Sequence, residues 1–179
     1  MPYGWEGEKT RLVPLDREKH FDNALRWMND PDLTAWMLSG DYPLTRVGEE
    51  EFFARVSRPN AEDVVFAVET LDGRHIGLTG LHRIDHRHGT ALTGSLIGLR
   101  ELWGQGYGTD MIRARTHYAT NVLGLRLLWS EVMVGNDRSL RALLRAGYRE
   151  AGRIPGFYWK RGAYRDKIML YLRRDDHAA

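Results

Sequence analysis

Apolar and polar positions alternate over short stretches of this chain and fall at helical spacing over others, and the switches between the two periods outline its elements. GEKTRLVPL (7–15) reads as a first strand stopped near Pro14. From Asp16 to Met28, Phe21, Leu25 and Met28 recur at helical spacing; Asp16 is the expected N-cap, with Lys19 where a capping box would place Glu. Asn29-Asp30-Pro31 ends that helix, because the residue before proline resists helical angles. A second helix is predicted after Thr45, with Glu49, Glu50 and Glu51 in its early turns, where the helix dipole favours acids. The period then shortens. VVFAVET (64–70) and HIGLTGLHRID (75–85) read as strands joined at Asp72-Gly73, and a turn at HRHG (86–89) leads into ALTGSLIGL (91–99). GQGYGTDMIRARTHYATNVLGL (104–125) opens with three glycines and continues as an amphipathic helix with Met111, Ile112, Tyr118, Val122 and Leu123 on its stripe. A strand at 125–134, a helix at 139–148 closed by Gly147, and a strand pair at 154–172 turning at Arg161-Gly162 complete the order. This order predicts a mixed α/β fold with helices on both faces of one sheet, a single domain over residues 1–179.

Composition agrees with a globular core: 42% hydrophobic and 28% charged residues leave little room for disordered, collagenous or coiled-coil readings. No apolar run is long enough to span a bilayer, and MPYGWEGEKTRL lacks the basic-then-apolar order of a secretion signal, so the expectation is a cytoplasmic protein without a membrane partner. There is no cysteine, which removes disulfides, thiolate nucleophiles and cysteine metal sites. The net charge of +2 hides an asymmetry: residues 1–90 carry 11 basic and 16 acidic side chains, residues 91–179 carry 15 and 8. A basic C-terminal half suggests an anionic ligand there. Its arginines are scattered through helix-like and strand-like stretches without a basic run, so nucleic acid is not expected.

The segment WGQGYGT (103–109) stands between a strand and a helix. Glycines let the chain turn sharply and expose backbone N–H groups that, with the helix N-terminus, form a phosphate site. The G-x-G-x-G spacing differs from the dinucleotide-binding G-x-G-x-x-G, and the acid expected about 20 residues on is absent. No Gly-Lys-Ser/Thr follows, which excludes a nucleoside triphosphate loop. A glycine-rich turn that merely caps a helix is the alternative.

From Leu96 onward, LIGLRELWGQGYGTDMI, the strand ending VMVGN, NDRSLRALLRAGY, EAGR and GAYRDKIML resemble the GNAT superfamily of acyl-CoA-dependent N-acyltransferases. TRLVPL, RWMNDPDL and IGLTGL extend the resemblance over nearly the whole chain, and the branch it looks like is that of the ribosomal-protein N-terminal acetyltransferases. The resemblance implies a mostly antiparallel mixed sheet and acetyl-CoA as co-substrate, with no metal. It implies that Leu96, Ile97 and Gly98 sit at a bulge in a central strand and hold pantetheine and the thioester carbonyl. Trp103, Gly104, Gln105, Gly106, Tyr107, Gly108 and Thr109 would form the pyrophosphate loop; the family's glutamine or arginine at its first position is Trp103 here. Asn136 would meet the pantetheine arm where two central strands splay, and Ser139 would stand beside the sulfur. Arg141 and Arg145 lie near enough in sequence to approach the nucleotide.

Acyl transfer to an amine needs a neutral amine, a stabilised carbonyl oxygen and a protonated leaving thiol. A backbone N–H near Ile97 suits the second task. Ser139 is the candidate for the third, with a helix N-cap as its alternative role. The family's tyrosine acid is replaced by Leu143 and its strand glutamate by Leu92, so the usual base is missing. His82, Glu131 and Tyr158 are the replacements, in that order; a water chain would need none of them. His82, His86 and His88 beside Asp85 raise the question of a metal, but HRHG reads as a polar turn and the reaction needs none.

The partner expected is an amine acceptor, either a peptide N-terminus or a small molecule such as an aminoglycoside or polyamine, with a homodimer left open. Trp36, Tyr42, Phe157, Tyr158 and Trp159 are candidates for aromatic walls of the acceptor site, and Trp27 for the core. A non-catalytic acyl-CoA-binding or interaction module is the second function class, suggested by the missing tyrosine and glutamate.

Overall fold

The computed structural model describes residues 5–177. Seven strands form one sheet in the order β1-β2-β3-β4-β5-β7-β6: β1 (Thr10–Pro14), β2 (Val64–Thr70), β3 (His75–Asp85), β4 (Thr90–Ile97), β5 (Leu127–Met133), β6 (Arg149–Lys160) and β7 (Ala163–Arg173). All neighbours are antiparallel except β4 and β5. Helices α1 (Arg17–Met28) and α3 (Arg46–Val56) cover one face through Phe21, Ala24 and Phe53. On the other face, α4 (Tyr107–His117) and α5 (Asp137–Arg145) bury Met111, Ile112 and Leu143 against Leu12, Val68, Leu81 and Leu128. The architecture is therefore the mixed, mostly antiparallel sheet with helices on both faces that the sequence predicts.

Two hairpins show why these turns form. Arg161 (φ +50°) and Gly162 (φ +80°) both take positive φ, the geometry whose twist matches a two-residue antiparallel connection. In the other, Gly73 supplies φ +89° beside Asp72. Asp16 caps α1 by accepting from the Lys19 N–H at 3.0 Å, and this bond foremost holds its carboxyl below the usual range.

Several details differ from the sequence reading, among them that β6 begins at Arg149 where the sequence reading starts the strand pair at 154. A short helix, α2 (Pro31–Thr34), follows α1, with Asp30 as N-cap and Pro31 opening it, so the proline starts a helix as well as ending one. The α4 helix ends at His117 and widens into a π-turn over Tyr118–Val122. Strand β4 carries no bulge at Leu96–Gly98: its register with β3 is unbroken from Leu92 to Ile97, and the Gly98 N–H still reaches the Ile76 carbonyl at 2.9 Å. The irregularity lies between His82 and Asp85, where Arg83 takes φ +49°. Alternation breaks there, so Ile84 joins the α4-side core while His82 faces Gly80 and Gly94 on the opposite side.

Candidate active site

The parallel contact between β4 and β5 is short. It pairs Thr90, Ala91 and Leu92 with Leu127, Leu128 and Trp129, and beyond that point the strands part. With Gly98 bonded to β3, strand alternation turns the backbone groups of Thr93, Ser95 and Ile97 toward the opening. A cavity of about 370 Å³ runs through this split, lined on one side by Leu33, Trp36, Met37 and Ser39, and on the other by the 103–109 loop and α5.

The loop end is built for anions. Gly104 (φ +77°) and Gly106 (φ +90°) take left-handed angles, and Gly106 is the N-cap of α4, so the loop presents its backbone at the positive end of that helix. Gly108 does not turn the chain; it is helical and faces Ala142 of α5. Asp110 in the first turn of α4 would repel an anion if free. Its carboxylate instead accepts from Glu8, Lys9 and Thr10 N–H groups and the Thr10 hydroxyl at 2.7–3.0 Å, tying the start of β1 and the two residues before it to α4. Arg138, Arg141 and Arg145 line the same end of the cavity, and none has a carboxylate in ion-pair range among the described residues. Arg138 lies 3.4 Å over the Trp103 ring, and partial burial followed by the charge of Arg141 disfavours its protonated form. Uncompensated like charges beside a glycine loop fit the pyrophosphate and phosphate groups of a coenzyme A thioester.

The turn between β5 and α5 joins the two ends. Asn136 caps α5 by accepting from the Ser139 N–H at 3.4 Å and donates from Nδ2 to the Trp36 carbonyl at 3.1 Å. Ser139 is thus inside the helix and not its cap, which corrects the alternative role read from sequence; it is among the residues that line the cavity. Gly135 (φ +101°) lies under the Trp36 ring, where a Cβ would come within 2.9 Å. Arg100 Nη2 donates to both Asp30 carboxylate oxygens at 2.6 and 2.7 Å and Nη1 to Asp32 at 3.0 Å, which fixes α2 to the segment after β4 and sets the Leu33–Trp36 wall in place.

At that wall Glu131 is the one carboxylate among the lining residues. Even positions of β5, such as Leu128 and Val132, pack under α4, so Glu131 points to the opposite face. Lys167 Nζ lies 2.7 Å from its Oε1, and the Tyr158 hydroxyl donates to Oε2 at 3.0 Å. Burial first, then this bond to Glu131, pushes the Tyr158 phenol above its usual range, so it stays a donor.

Of the residues predicted from sequence, Leu96, Ile97, Trp103, Gly104, Gly106, Gly108, Thr109, Asn136, Ser139 and Glu131 line the cavity, as do Arg141 and Arg145. Gly98, Gln105 and Tyr107 do not. Gly98 is covered by Trp27, whose ring would stand 2.1 Å from an added Cβ. The Gln105 amide turns back to the Glu101 carbonyl, and Tyr107 lies under Lys9, whose Nζ is 5.4 Å from the ring centre. His82 is not among the lining residues; it stands against Gly80 and Gly94 and pairs with Asp63 at 2.9 Å through Nδ1. Tyr158 reaches the site only through Glu131. Trp36 forms a wall, Trp27 is core, and Tyr42 and Trp159 are 87% and 61% exposed. Sequence reasoning missed Lys167 and Arg115. Both are cations buried at positions where a charged side chain reads as a solvated face.

Residues 9–149 match the family described as an acetyltransferase (GNAT) domain. An uncharacterized N-acetyltransferase of Bacillus subtilis (strain 168) is 29% identical over 87 residues, covering 49% of this chain and 49% of that protein. One from Methanocaldococcus jannaschii is 31% identical over 93 residues, covering 52% and 58%. The chain thus spans about half the length of the curated relatives it matches. Among solved structures, the spermidine N-acetyltransferase of Vibrio cholerae in complex with CoA and spermine superposes with a TM-score of 0.86 at 22% identity, over 95% of this chain and 98% of that one. A GNAT-family acetyltransferase of Bacillus anthracis gives 0.79 at 15% identity, over 95% and 98%.

Proposed function

We take as premise that the chain belongs to the GNAT acetyltransferase family, and propose that it transfers an acetyl group from acetyl-CoA directly to a primary amine. The observation that carries this reading is the split between β4 and β5: a single cavity joins an unpaired arginine cluster and glycine loop to a carboxylate on the far face.

In this reading the loop and Arg138, Arg141 and Arg145 hold the phosphates, and the pantetheine arm lies along the open edge of β4. The Ile97 carbonyl is occupied by Trp103 Nε1 at 2.8 Å, which leaves the Ile97 N–H, on the open edge, to stabilise the thioester oxygen. An ammonium entering past Leu33 and Trp36 meets Glu131. Each of its oxygens has lone-pair capacity beyond the Lys167 and Tyr158 bonds, so it can orient the ammonium and take its proton. The neutral amine attacks the carbonyl carbon and the C–S bond breaks; the Ser139 hydroxyl donates to the departing sulfur and takes back a proton from the attacking nitrogen, so that the amide and the free thiol are the products. Glu131 takes precedence over His82 as the base because it lines the cavity and His82 does not.

The acceptor is a small amine or a peptide N-terminus. The fold shared with a spermidine N-acetyltransferase supports the former, and the resemblance to the ribosomal-protein branch supports the latter. Release of free coenzyme A thiol from acetyl-CoA, followed with polyamines, aminoglycosides and short peptides, tests the proposal. Amine-dependent release that yields an acetylated amine supports it. No release with any of them, despite bound acetyl-CoA, would favour the non-catalytic module.

A further inference from the structure

Arg115 on α4 is 1% exposed, yet it lines the cavity. Nη1 donates to the Thr79 hydroxyl at 3.1 Å, the Gly94 carbonyl at 3.1 Å and the Ser95 hydroxyl at 2.6 Å, and Nη2 donates to the Tyr148 hydroxyl at 3.3 Å. All four acceptors are neutral. Among the described residues no carboxylate pairs with this guanidinium, and its Nε has no acceptor. Arginine cannot shed its charge in a protein, and a buried charge without a counter-charge is costly.

The surroundings supply further unused donors. The parallel register that ends with Leu92 opposite Trp129 brings Thr93 opposite Ser130, at the apex of the split. Thr93 shares its face with Ala91, and Ser130 with Leu128 and Val132, so both sit on the α4 side with Arg115. They are 5% and 6% exposed, both line the cavity, and the Thr93 hydroxyl has no partner. The phosphates of a coenzyme A thioester are provided for at the far end by Arg138, Arg141, Arg145 and the loop, so a cation at the apex is surplus to them. What it lacks, among the described residues, is a counter-charge.

Resting on the acyl-CoA reading above, we propose that the apex formed by Arg115, Thr93 and Ser130 binds the terminal carboxylate of the acyl group. The donors would then include short ω-carboxyacyl thioesters of coenzyme A, of malonyl or succinyl length. In the transfer the amine nitrogen bonds to the thioester carbonyl carbon and the C–S bond breaks. The sulfur leaves as the thiol with the amine's proton, and the ω-carboxylate passes unchanged into the amide product. A carboxylate on Arg115 would gain a charge-assisted bond and fill the orphaned Nε and Thr93 hydroxyl together.

The test compares donors of equal carbon count by calorimetric titration: succinyl-CoA against butyryl-CoA, and malonyl-CoA against propionyl-CoA. The expected result is that at least one carboxylated donor binds about tenfold or more tightly than its uncharged counterpart, and that Arg115→Met erases the difference. Because Arg115 also makes internal bonds, Thr93→Val serves as the second variant. It removes a hydroxyl with no internal partner, should fold, and should narrow the preference about threefold or more. Equal or weaker binding of both carboxylated donors would overturn the proposal, as would a preference unchanged in Thr93→Val and in folded Arg115→Met. If no acyl-CoA binds, acetyl-CoA included, the underlying coenzyme A reading fails and takes this proposal with it.

Discussion

The Tyr158 hydroxyl donates to Glu131 Oε2 at 3.0 Å, and this bond links the last hairpin to the one carboxylate in the cavity wall. The phenol is held protonated above its usual range by burial and by Glu131 itself, so in the proposed mechanism it orients the carboxylate without competing for the amine's proton.

Glu131→Gln should therefore lower turnover by about 10²–10⁴-fold, the scale of a positioned base, with a much smaller change in acetyl-CoA affinity. Tyr158→Phe should cost less, about tenfold, because Lys167 still holds the other oxygen. His82→Ala should leave the pH–rate profile in place, since its imidazole pairs with Asp63 outside the cavity lining. Steady-state kinetics across pH on the three variants checks this; loss of the profile in His82→Ala alone would reinstate histidine as the base.

Ser139→Ala should reduce turnover about 10²-fold while leaving the melting temperature near that of the parent. Asn136 is the residue that caps α5, so removing the Ser139 hydroxyl leaves the cap intact. A melt lowered by the equivalent of about 1 kcal/mol with normal turnover would mark it as a structural residue.

Gly98→Ala should destabilise the fold by about 2–3 kcal/mol, because its Cβ would enter the Trp27 ring at 2.1 Å. Combining it with Trp27→Leu should cost less than the two separate losses added, a coupling readable from denaturant titrations of the four proteins.

The pH dependence of stability should show a histidine limb. Burial first, then the nearby His20, lowers the His75 pKa from 6.5 to about 4. Its Nε2–H donates to the Gly77 carbonyl at 2.9 Å and Nδ1 accepts from Asn23 at 3.2 Å, the pattern of a neutral ring. The unfolded chain therefore binds more protons between pH 6.5 and about 4. The stability of the neutral ring is present above pH 6.5 and is lost as pH falls through that window, by up to about 3 kcal/mol. Melts of the parent and His75→Gln from pH 7 to 4 should show a shallower decline in the variant.

The sheet was legible because its hairpins carry strong local signals, such as Asp72-Gly73 and Arg161-Gly162. The glycine loop was legible because left-handed backbone angles at Gly104 and Gly106 demand glycine. Helix α2 was missed because four residues are too few for a period; its signal was Asp30 as a cap before Pro31 at the first helical position. The turn of Ile84 away from the face of His82 was not legible, because a bulge beginning at Arg83 leaves no mark in the alternation. Lys167 and Arg115 were invisible because a charge on a strand or helix reads as solvent-facing until its neighbours across the sheet are known.

The central claim, that the split between β4 and β5 is a coenzyme A thioester site, is tested most directly by calorimetric titration of acetyl-CoA into the parent protein and Gly106→Ala. At φ +90° an alanine is strained, and its Cβ stands at the mouth of the phosphate loop with only the Lys9 side chain, at 3.7 Å, near it. The account predicts saturable one-to-one binding to the parent, weakened at least about tenfold in a variant that melts only about 1–2 kcal/mol less stable. Equal affinity for the two proteins, or no binding to the parent, would contradict it.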